Sequence, residues 1–212
     1  MADERSLRTA DGLVLEAQLA LPAAAGATIA GVLLCHPHPL HGGTMRSIVI
    51  GALFEALPSS GLACLRFNFR GVEGSDGEHD HGVGELVDVA TGLAALRAEL
   101  DPGCPVVLAG WSFGADMVLA TTDASVVGRV AIAPPLHYAT AYAAASLSTP
   151  KLLVLAQHDE FRAPAEVVAA TEDWTATEVD VVPGASHFFV GRTDRVVEAT
   201  RGFVARVVDA TR

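Results

Sequence analysis

The chain of 212 residues is half hydrophobic and carries a formal net charge of −11. Its apolar content is high enough to form a packed core, which excludes a disordered or fibrous chain. The negative charge disfavours contact with phosphate backbones and anionic lipids, so we expect neither a nucleic-acid nor a membrane partner.

The three cysteines, Cys35, Cys64 and Cys104, are odd in number and widely spaced in or beside apolar stretches. We expect them to be buried free thiols, which suits a reducing compartment. No apolar run approaches the ~20 residues that a membrane span needs, and the polar first residues lack the core of a signal peptide. A cytoplasmic protein is therefore the expectation.

Short apolar runs alternate with longer helical patterns along the chain, which is typical of a parallel sheet with crossover helices. Asp11 and Gly12 predict a hairpin turn between the first two runs. Continuous β-branched runs indicate strands that are buried on both faces. Without repeats or linkers, a single α/β domain over 1–212 is expected. The predicted strands are 5–10, 13–21, 29–35, 62–67, 105–109, 129–133, 152–156 and 177–182, and the predicted helices are 44–57, 81–100, 113–122, 139–148, 165–173 and 193–210.

A Gly-x-Ser-x-Gly sequence, Gly110 to Gly114, lies between the predicted strand 105–109 and the following helix. This context is the one that a nucleophile elbow requires, because the sharp turn exposes the serine hydroxyl above the sheet. The glycines lack the Cβ atoms that would collide with neighbouring backbone. Ser112 is thus the predicted nucleophile, and the alternative is a tight turn with Ser112 as a helix cap.

A serine hydroxyl needs a base that takes its proton. In enzymes with such an elbow, the acid and then the histidine follow the serine along the chain. His137, His158 and His187 follow Ser112, and His187 lies in the loop after the last predicted strand. This position is a strand carboxyl end, so His187 is the predicted base.

The carboxylate that orients the histidine is expected at the end of the preceding strand, 152–156. Asp159 lies in that loop and is the predicted acid, with the adjacent Glu160 as the alternative. Its role would be to accept the Nδ1–H of His187, fix the tautomer and stabilise the imidazolium.

An oxyanion hole needs two N–H donors at the point where negative charge develops. One is expected from the residue after the nucleophile, Phe113, and the other from the loop after the strand 29–35. In that loop Pro37 and Pro39 have no N–H, so the main chain of His38 is the predicted second donor.

The same loop holds three histidines, and His79 with His81 forms a second small cluster. No His-Glu-x-x-His helix is present, and the prolines of the loop oppose helical spacing of ligands. We therefore expect no metal and no cofactor, and we interpret His79 and His81 as the start of the next helix or as solvent-facing.

These motifs resemble the α/β-hydrolase superfamily over nearly the whole chain. More narrowly, the chain resembles small bacterial hydrolases that are related to dienelactone-hydrolase-like esterases. The stretches that carry the resemblance are 34–39 with 42–45, 67–75 and 110–114. The resemblance implies an α/β-hydrolase fold with a mostly parallel central sheet, helices on both faces and a minimal lid or none. The triad roles of that family fall on Ser112, Asp159 and His187.

The sequence departs from the family at two points. Glu73 stands where the pattern often has glycine. Dienelactone hydrolases proper use a cysteine nucleophile, whereas this chain has Ser112, so their substrate does not carry over.

The segment 134–150 is too short for a large lid, and we expect an open cleft. Its apolar wall would favour an acyl chain or a small aromatic ester over a sugar or a phosphate. The residues expected in this wall are Leu40, Trp111, Phe113, Leu136, Tyr138 and Phe188.

Together these features predict a serine hydrolase that cleaves small-molecule carboxylic esters or thioesters through an acyl-enzyme. Two alternatives stay open: a catalytically silent binding module with this fold, and a peptidase or acyltransferase on the same elbow. An exposed apolar site is also compatible with a homodimer.

Overall fold

The computed structural model describes residues 2–22 and 28–211 and places eight strands of this part of the chain in one sheet. The strands are β1 (Asp3–Arg8), β2 (Val14–Ala20), β3 (Ala30–Cys35), β4 (Leu62–Phe67), β5 (Val106–Trp111), β6 (Val126–Ile132), β7 (Lys151–Ala156) and β8 (Thr177–Val182). The α-helices are α1 (Ile48–Ala56), α2 (Val83–Ala98), α3 (Phe113–Ala120), α4 (Pro164–Ala170) and α5 (Thr193–Asp209).

The spatial order of the strands is β1-β2-β4-β3-β5-β6-β7-β8. The β1–β2 and β2–β4 pairs are antiparallel, and the remaining pairs are parallel. The hairpin turns at Gly12, whose φ of 95° is open to glycine without steric cost. The predicted mostly parallel α/β sheet is confirmed.

Helices cover both faces of the sheet because successive side chains of each buried strand point to opposite sides. Val32 and Leu34 of β3 pack in the layer of α1 and α5, whereas Leu33 packs in the layer of α2 and α3. The strands β3, β5 and β7 are buried along their whole length.

The last strand, β8, does not fit the prediction of strands that are buried on both faces. It lies at the edge of the sheet, where Val179 and Val181 are 43% and 40% exposed. A continuous β-branched run predicts a strand, but it does not predict the position of that strand in the sheet.

Two predicted helices differ from the structure. The helix predicted at 44–57 begins only at Ile48, because the Oγ of Ser47 accepts the N–H of Thr44 and closes a turn over 44–47. The alanine-rich stretch 139–148 contains only a short 3₁₀ turn, Ala143–Ala145. The bounds of the other elements differ from the prediction by at most three residues at either end, since local pattern fixes the ends of an element less well than its presence.

Glu73, which stands where the family pattern often has glycine, lies in the turn after β4. This residue has a left-handed φ of 47°, which explains why glycine is common there in the family that the sequence resembles. Its carboxylate accepts hydrogen bonds from Arg46 Nη1 at 2.7 Å and from Asn68 Nδ2 at 2.8 Å. These contacts offset the cost of the backbone conformation.

Cys35 and Cys64 are buried free thiols, as expected, whereas Cys104 is half-buried. No helix in the described ranges is long and apolar enough to cross a membrane. The loops that leave β3, β5, β7 and β8 meet at one edge of the sheet, and the candidate site lies there.

Candidate active site

Ser112 lies at the tip of the turn between β5 and α3, with φ 55° and ψ −118°. This conformation is unusual for a residue with a side chain. A Cβ atom on Gly110 would overlap the carbonyl of Gly114, and a Cβ on Gly114 would overlap the carbonyl of Cys35. Only glycine at both positions allows the turn to pack against β3.

The imidazole of His187 lies between the serine and a carboxylate. Its Nε2 is 3.0 Å from the Oγ of Ser112, and its Nδ1 is 2.9 Å from Oδ2 of Asp159. The indole of Trp111 donates its Nε1–H to the carbonyl of His187 at 3.1 Å, which holds the histidine loop over the elbow. The structure thus brings together the three residues predicted as a triad, and their catalytic roles stay predictions.

Asp159 and Glu160 have different partners. Oδ1 of Asp159 also accepts the main-chain N–H groups of Phe161 at 2.9 Å and Arg162 at 3.1 Å. Oε2 of Glu160 accepts the main-chain N–H of His187 at 3.0 Å. The carboxylate that faces the imidazole is therefore that of Asp159, while Glu160 supports the backbone of the same loop.

Two N–H groups are available for an oxyanion. Phe113 is the first residue of α3, where an N–H has no partner within the helix. His38 follows β3, and its ring centroid lies 5.2 Å from that of Phe113. Neither main-chain N–H donates to another group among residues 2–22 and 28–211. Both therefore remain candidates for the predicted oxyanion hole, and that role stays a prediction.

The buried side chain of His36 braces the loop that carries His38. Its Nε2 accepts the N–H of Phe69 at 2.9 Å, so its Nδ1 carries the proton and donates to the carbonyl of Pro37 at 2.6 Å. Burial lowers the pKa of His36 to about 3, which keeps the ring neutral. The sequence pattern did not assign this role to His36, because the partner Phe69 lies in another loop.

A cavity of about 440 Å³ opens above Ser112. Trp111, Tyr138 and Phe188 line it, as predicted, and Phe161 is a further lining residue that was not predicted from the sequence. The position of Phe161, two residues after the predicted acid, was the available signal.

The other residues expected in the cavity wall lie elsewhere. Leu40 is 68% exposed outside the cavity, because it belongs to a short 3₁₀ turn that points into solvent. Leu136 packs behind the cavity against the side of α3, and Phe113 is fully buried beneath it. A larger cavity of about 590 Å³ lies at the amino ends of β5 and β6, away from Ser112.

The segment after β6 is attached to α3 through the buried carboxylate of Asp116. Its oxygens accept the main-chain N–H groups of Leu136, His137 and Tyr138 at 2.7–2.9 Å and the hydroxyl of Tyr142 at 2.9 Å. These bonds place Tyr138 in the cavity wall. The same bonds fix the backbone of residues 136–138 in a non-helical conformation. The alanines that follow therefore do not form the predicted helix over 139–148, despite their high helix propensity.

A group of imidazoles around His38 lies at the cavity. The ring of His38 lies 4.5 Å from that of His41 and 4.8 Å from that of His79. Burial and the neighbouring imidazoles lower the pKa of His38 to about 4, so this ring is neutral at physiological pH. Within the described residues, no three His, Cys, Asp or Glu side chains are arranged to hold a metal ion.

The interpretation of His79 as a helix start or a solvent-facing side chain is wrong. Its side chain is 4% exposed, and its Nδ1 lies 2.7 Å from Oε1 of the buried Glu85. Glu85 stays in place because it accepts the N–H groups of Asp80 and Gly82, which closes the turn before α2.

Comparison with known proteins gives consistent relatives. No protein-family model matches the chain. An uncharacterised protein from Rickettsia prowazekii is 29% identical over 186 residues, which are 82% of this chain and 78% of that protein.

Two solved structures are similar over nearly their whole length. An α/β serine hydrolase homologue from Coxiella burnetii is 34% identical with a TM-score of 0.83, and the match covers 94% of this chain and 95% of that one. A member of the α/β serine hydrolases without a lid, from Xanthomonas campestris, is 29% identical with a TM-score of 0.84, and the match covers 97% and 94%. The chain belongs to the α/β serine hydrolase family.

Proposed function

We propose that the protein is a serine hydrolase that cleaves carboxylic ester or thioester bonds through Ser112, His187 and Asp159. The observation that carries this proposal is the position of the His187 imidazole, with Nε2 3.0 Å from a serine hydroxyl and Nδ1 2.9 Å from a carboxylate. Both separations are within the range of direct proton transfer and hydrogen bonding.

In the first half of the reaction, Oγ of Ser112 attacks the carbonyl carbon while its proton moves to Nε2 of His187. The carbonyl oxygen becomes an oxyanion that accepts hydrogen bonds from the N–H groups of Phe113 and His38. Asp159 accepts the Nδ1–H and stabilises the imidazolium. The tetrahedral intermediate collapses as His187 returns the proton to the leaving alcohol or thiol, and an acyl-Ser112 ester remains.

In the second half, a water molecule takes the place of the leaving group beside His187. The imidazole accepts a proton from this water as its oxygen attacks the acyl carbonyl. The same two N–H groups bind the second oxyanion, and the proton then passes to Oγ of Ser112. The carboxylic acid leaves and the serine is free again.

A fluorophosphonate probe tests the nucleophile. We expect the wild-type protein to be labelled and to cleave p-nitrophenyl esters, and Ser112→Ala to do neither while keeping its folded circular dichroism spectrum. Ser186→Ala, in the histidine loop, is a control that keeps labelling. A wild-type protein that is neither labelled nor active on esters of any chain length would contradict the proposal.

A further inference from the structure

The cavity above Ser112 has one aromatic wall with unusual exposure. Phe161 and Phe188 are 65% and 46% exposed, although both side chains are apolar. The ring centroid of Phe161 lies 4.6 Å from that of His187 and 6.1 Å from that of Phe188. The two rings therefore lie beside the candidate base and are partly open to solvent.

The position of Phe161 is set by its backbone. Its N–H donates to Oδ1 of Asp159, the carboxylate that also faces His187. The next residue, Arg162, donates from its guanidinium to the carbonyl of Pro135 at 2.7 Å. An aromatic ring that is held in water by a fixed backbone is a preformed surface for a flat apolar group, since little ordering is needed when a ligand covers it.

The cavity also lacks permanent charge. Among the described residues that line it, none is Lys, Arg, Asp or Glu. Arg46 and Arg162 are adjacent in sequence to lining residues, but both are already engaged. Arg46 pairs with Glu16 at 3.0 Å and with Glu73 at 2.7 Å, and Arg162 bonds main-chain carbonyls.

The only lysine of the chain, Lys151, is at the other end of the sheet. It opens β7 and its Nζ donates to the carbonyls of Leu147 and Thr175. A leaving group with several phosphates needs cationic partners, and a molecule with a net charge of −11 repels it.

We infer that Phe161 and Phe188 make this site selective for uncharged esters that carry a flat aromatic group, and that the absence of Lys and Arg from the described lining residues makes thioesters of coenzyme A poorer substrates than uncharged thioesters. This inference rests on the proposed function and specifies its substrate class. The triad chemistry alone would cleave thioesters of coenzyme A and thioesters without phosphate groups equally well, so a difference between them would come from the cavity wall.

The experiment compares two matched pairs of substrates. Methyl phenylacetate and methyl cyclohexylacetate differ in the flatness of the ring. The hexanoyl thioesters of N-acetylcysteamine and of coenzyme A share the reacting bond and differ in the phosphorylated nucleotide. We expect kcat/KM to be about 3- to 10-fold higher for the aromatic ester and at least about 10-fold higher for the N-acetylcysteamine thioester.

Two variants test the assignment to Phe161. Phe161→Leu keeps an apolar side chain without a flat face and should abolish the preference for the aromatic ester. Val190→Ala removes an equally exposed apolar side chain outside the cavity and should keep it. Fluorophosphonate labelling of Ser112 should continue in Val190→Ala, and both variants should keep the circular dichroism spectrum of the wild-type protein.

The outcomes separate the two proposals. If the fluorophosphonate probe does not label the wild-type protein, the proposed triad itself is contradicted. If the wild-type protein is labelled but shows no preference within one or both substrate pairs, the specificity inference is overturned and the hydrolase proposal stands. An unchanged preference for the aromatic ester in Phe161→Leu has the same meaning.

Discussion

Two adjacent carboxylates, Asp159 and Glu160, have different tasks around one histidine. Asp159 approaches the ring nitrogen, and Glu160 approaches the main-chain N–H of the same residue. Sequence spacing alone could not separate them, because a loop can turn either side chain towards the imidazole. Asp159→Asn and Glu160→Gln each remove only the negative charge, and they therefore form a matched pair that separates the two roles.

We expect Asp159→Asn to lower kcat by about 10³- to 10⁴-fold, because an amide no longer favours the Nδ1–H tautomer or stabilises the imidazolium. Glu160→Gln keeps an acceptor for the N–H of His187 and should lower kcat by less than about 10-fold. Steady-state kinetics on a p-nitrophenyl ester measures both. The reverse ranking would assign the role of the acid to Glu160.

At the scale of elements, the segment after β6 depends on a side chain of α3. Asp116 accepts three successive N–H groups and one hydroxyl. Buried hydrogen bonds to a charged acceptor each contribute about 1.5–3 kcal/mol. Helix α3 therefore has Ser112 at its start and, one turn later, the side chain that fixes the cavity wall.

Asp116→Asn tests this anchor. The side-chain NH₂ of asparagine would face main-chain donors, so we expect the free energy of unfolding to fall by about 2–3 kcal/mol. We also expect kcat/KM to fall by about 10-fold as Tyr138 loses its position. Urea unfolding and ester kinetics measure the two effects.

Tyr142→Phe is the matched control, since it removes a single donor from the same carboxylate. Its free energy of unfolding should fall by only about 1 kcal/mol. Equal stability of Asp116→Asn and the wild-type protein would show that the segment holds its shape without the carboxylate.

At the scale of the whole molecule, the sequence predicted the sheet well. The bounds of β4 and β8 agree with the prediction, and the order of elements follows from apolar periodicity and turn residues. The residues after strand ends could be named because parallel strands place their carboxyl ends at one edge. The local sequence pattern and the fold class were therefore enough to predict that these residues lie close together.

The rest of the site depends on contacts between distant parts of the chain. His36 needs Phe69, and Asp116 needs the segment that starts at Leu136. Such partners have no fixed spacing in the sequence, so no local pattern indicates them. The exposed valines of β8 were missed for a similar reason, because the edge of a sheet is a property of the assembled strands.

The imidazole of His36 is buried in its neutral form, and this makes the free energy of unfolding depend on pH. The unfolded chain binds a proton at this residue near pH 6.5, whereas the folded protein binds it only near pH 3. The stabilisation is thus complete above pH 6.5 and declines as the pH falls towards 3, by up to about 1.4 kcal/mol per pH unit.

We therefore expect the free energy of unfolding of the wild-type protein to fall between pH 7 and pH 4. His36→Gln should be less stable at pH 7, where it loses the hydrogen bond from Nδ1–H to the carbonyl of Pro37, and the difference should narrow on acidification. Urea unfolding across this range measures both slopes. His158→Gln, at an exposed site, is the control and should follow the wild-type slope, and a parallel slope for His36→Gln would contradict the prediction.

The tethering of residues 136–138 to α3 has a consequence for the fate of an acylated serine. The segment is held to α3 at three successive N–H groups, so in the proposed mechanism we expect bulk solvent to reach the acyl-serine as soon as the first product departs. We then expect water, at its full concentration, to accept the acyl group in preference to a second alcohol. Such an open mouth favours release of a free acid over exchange between acceptors.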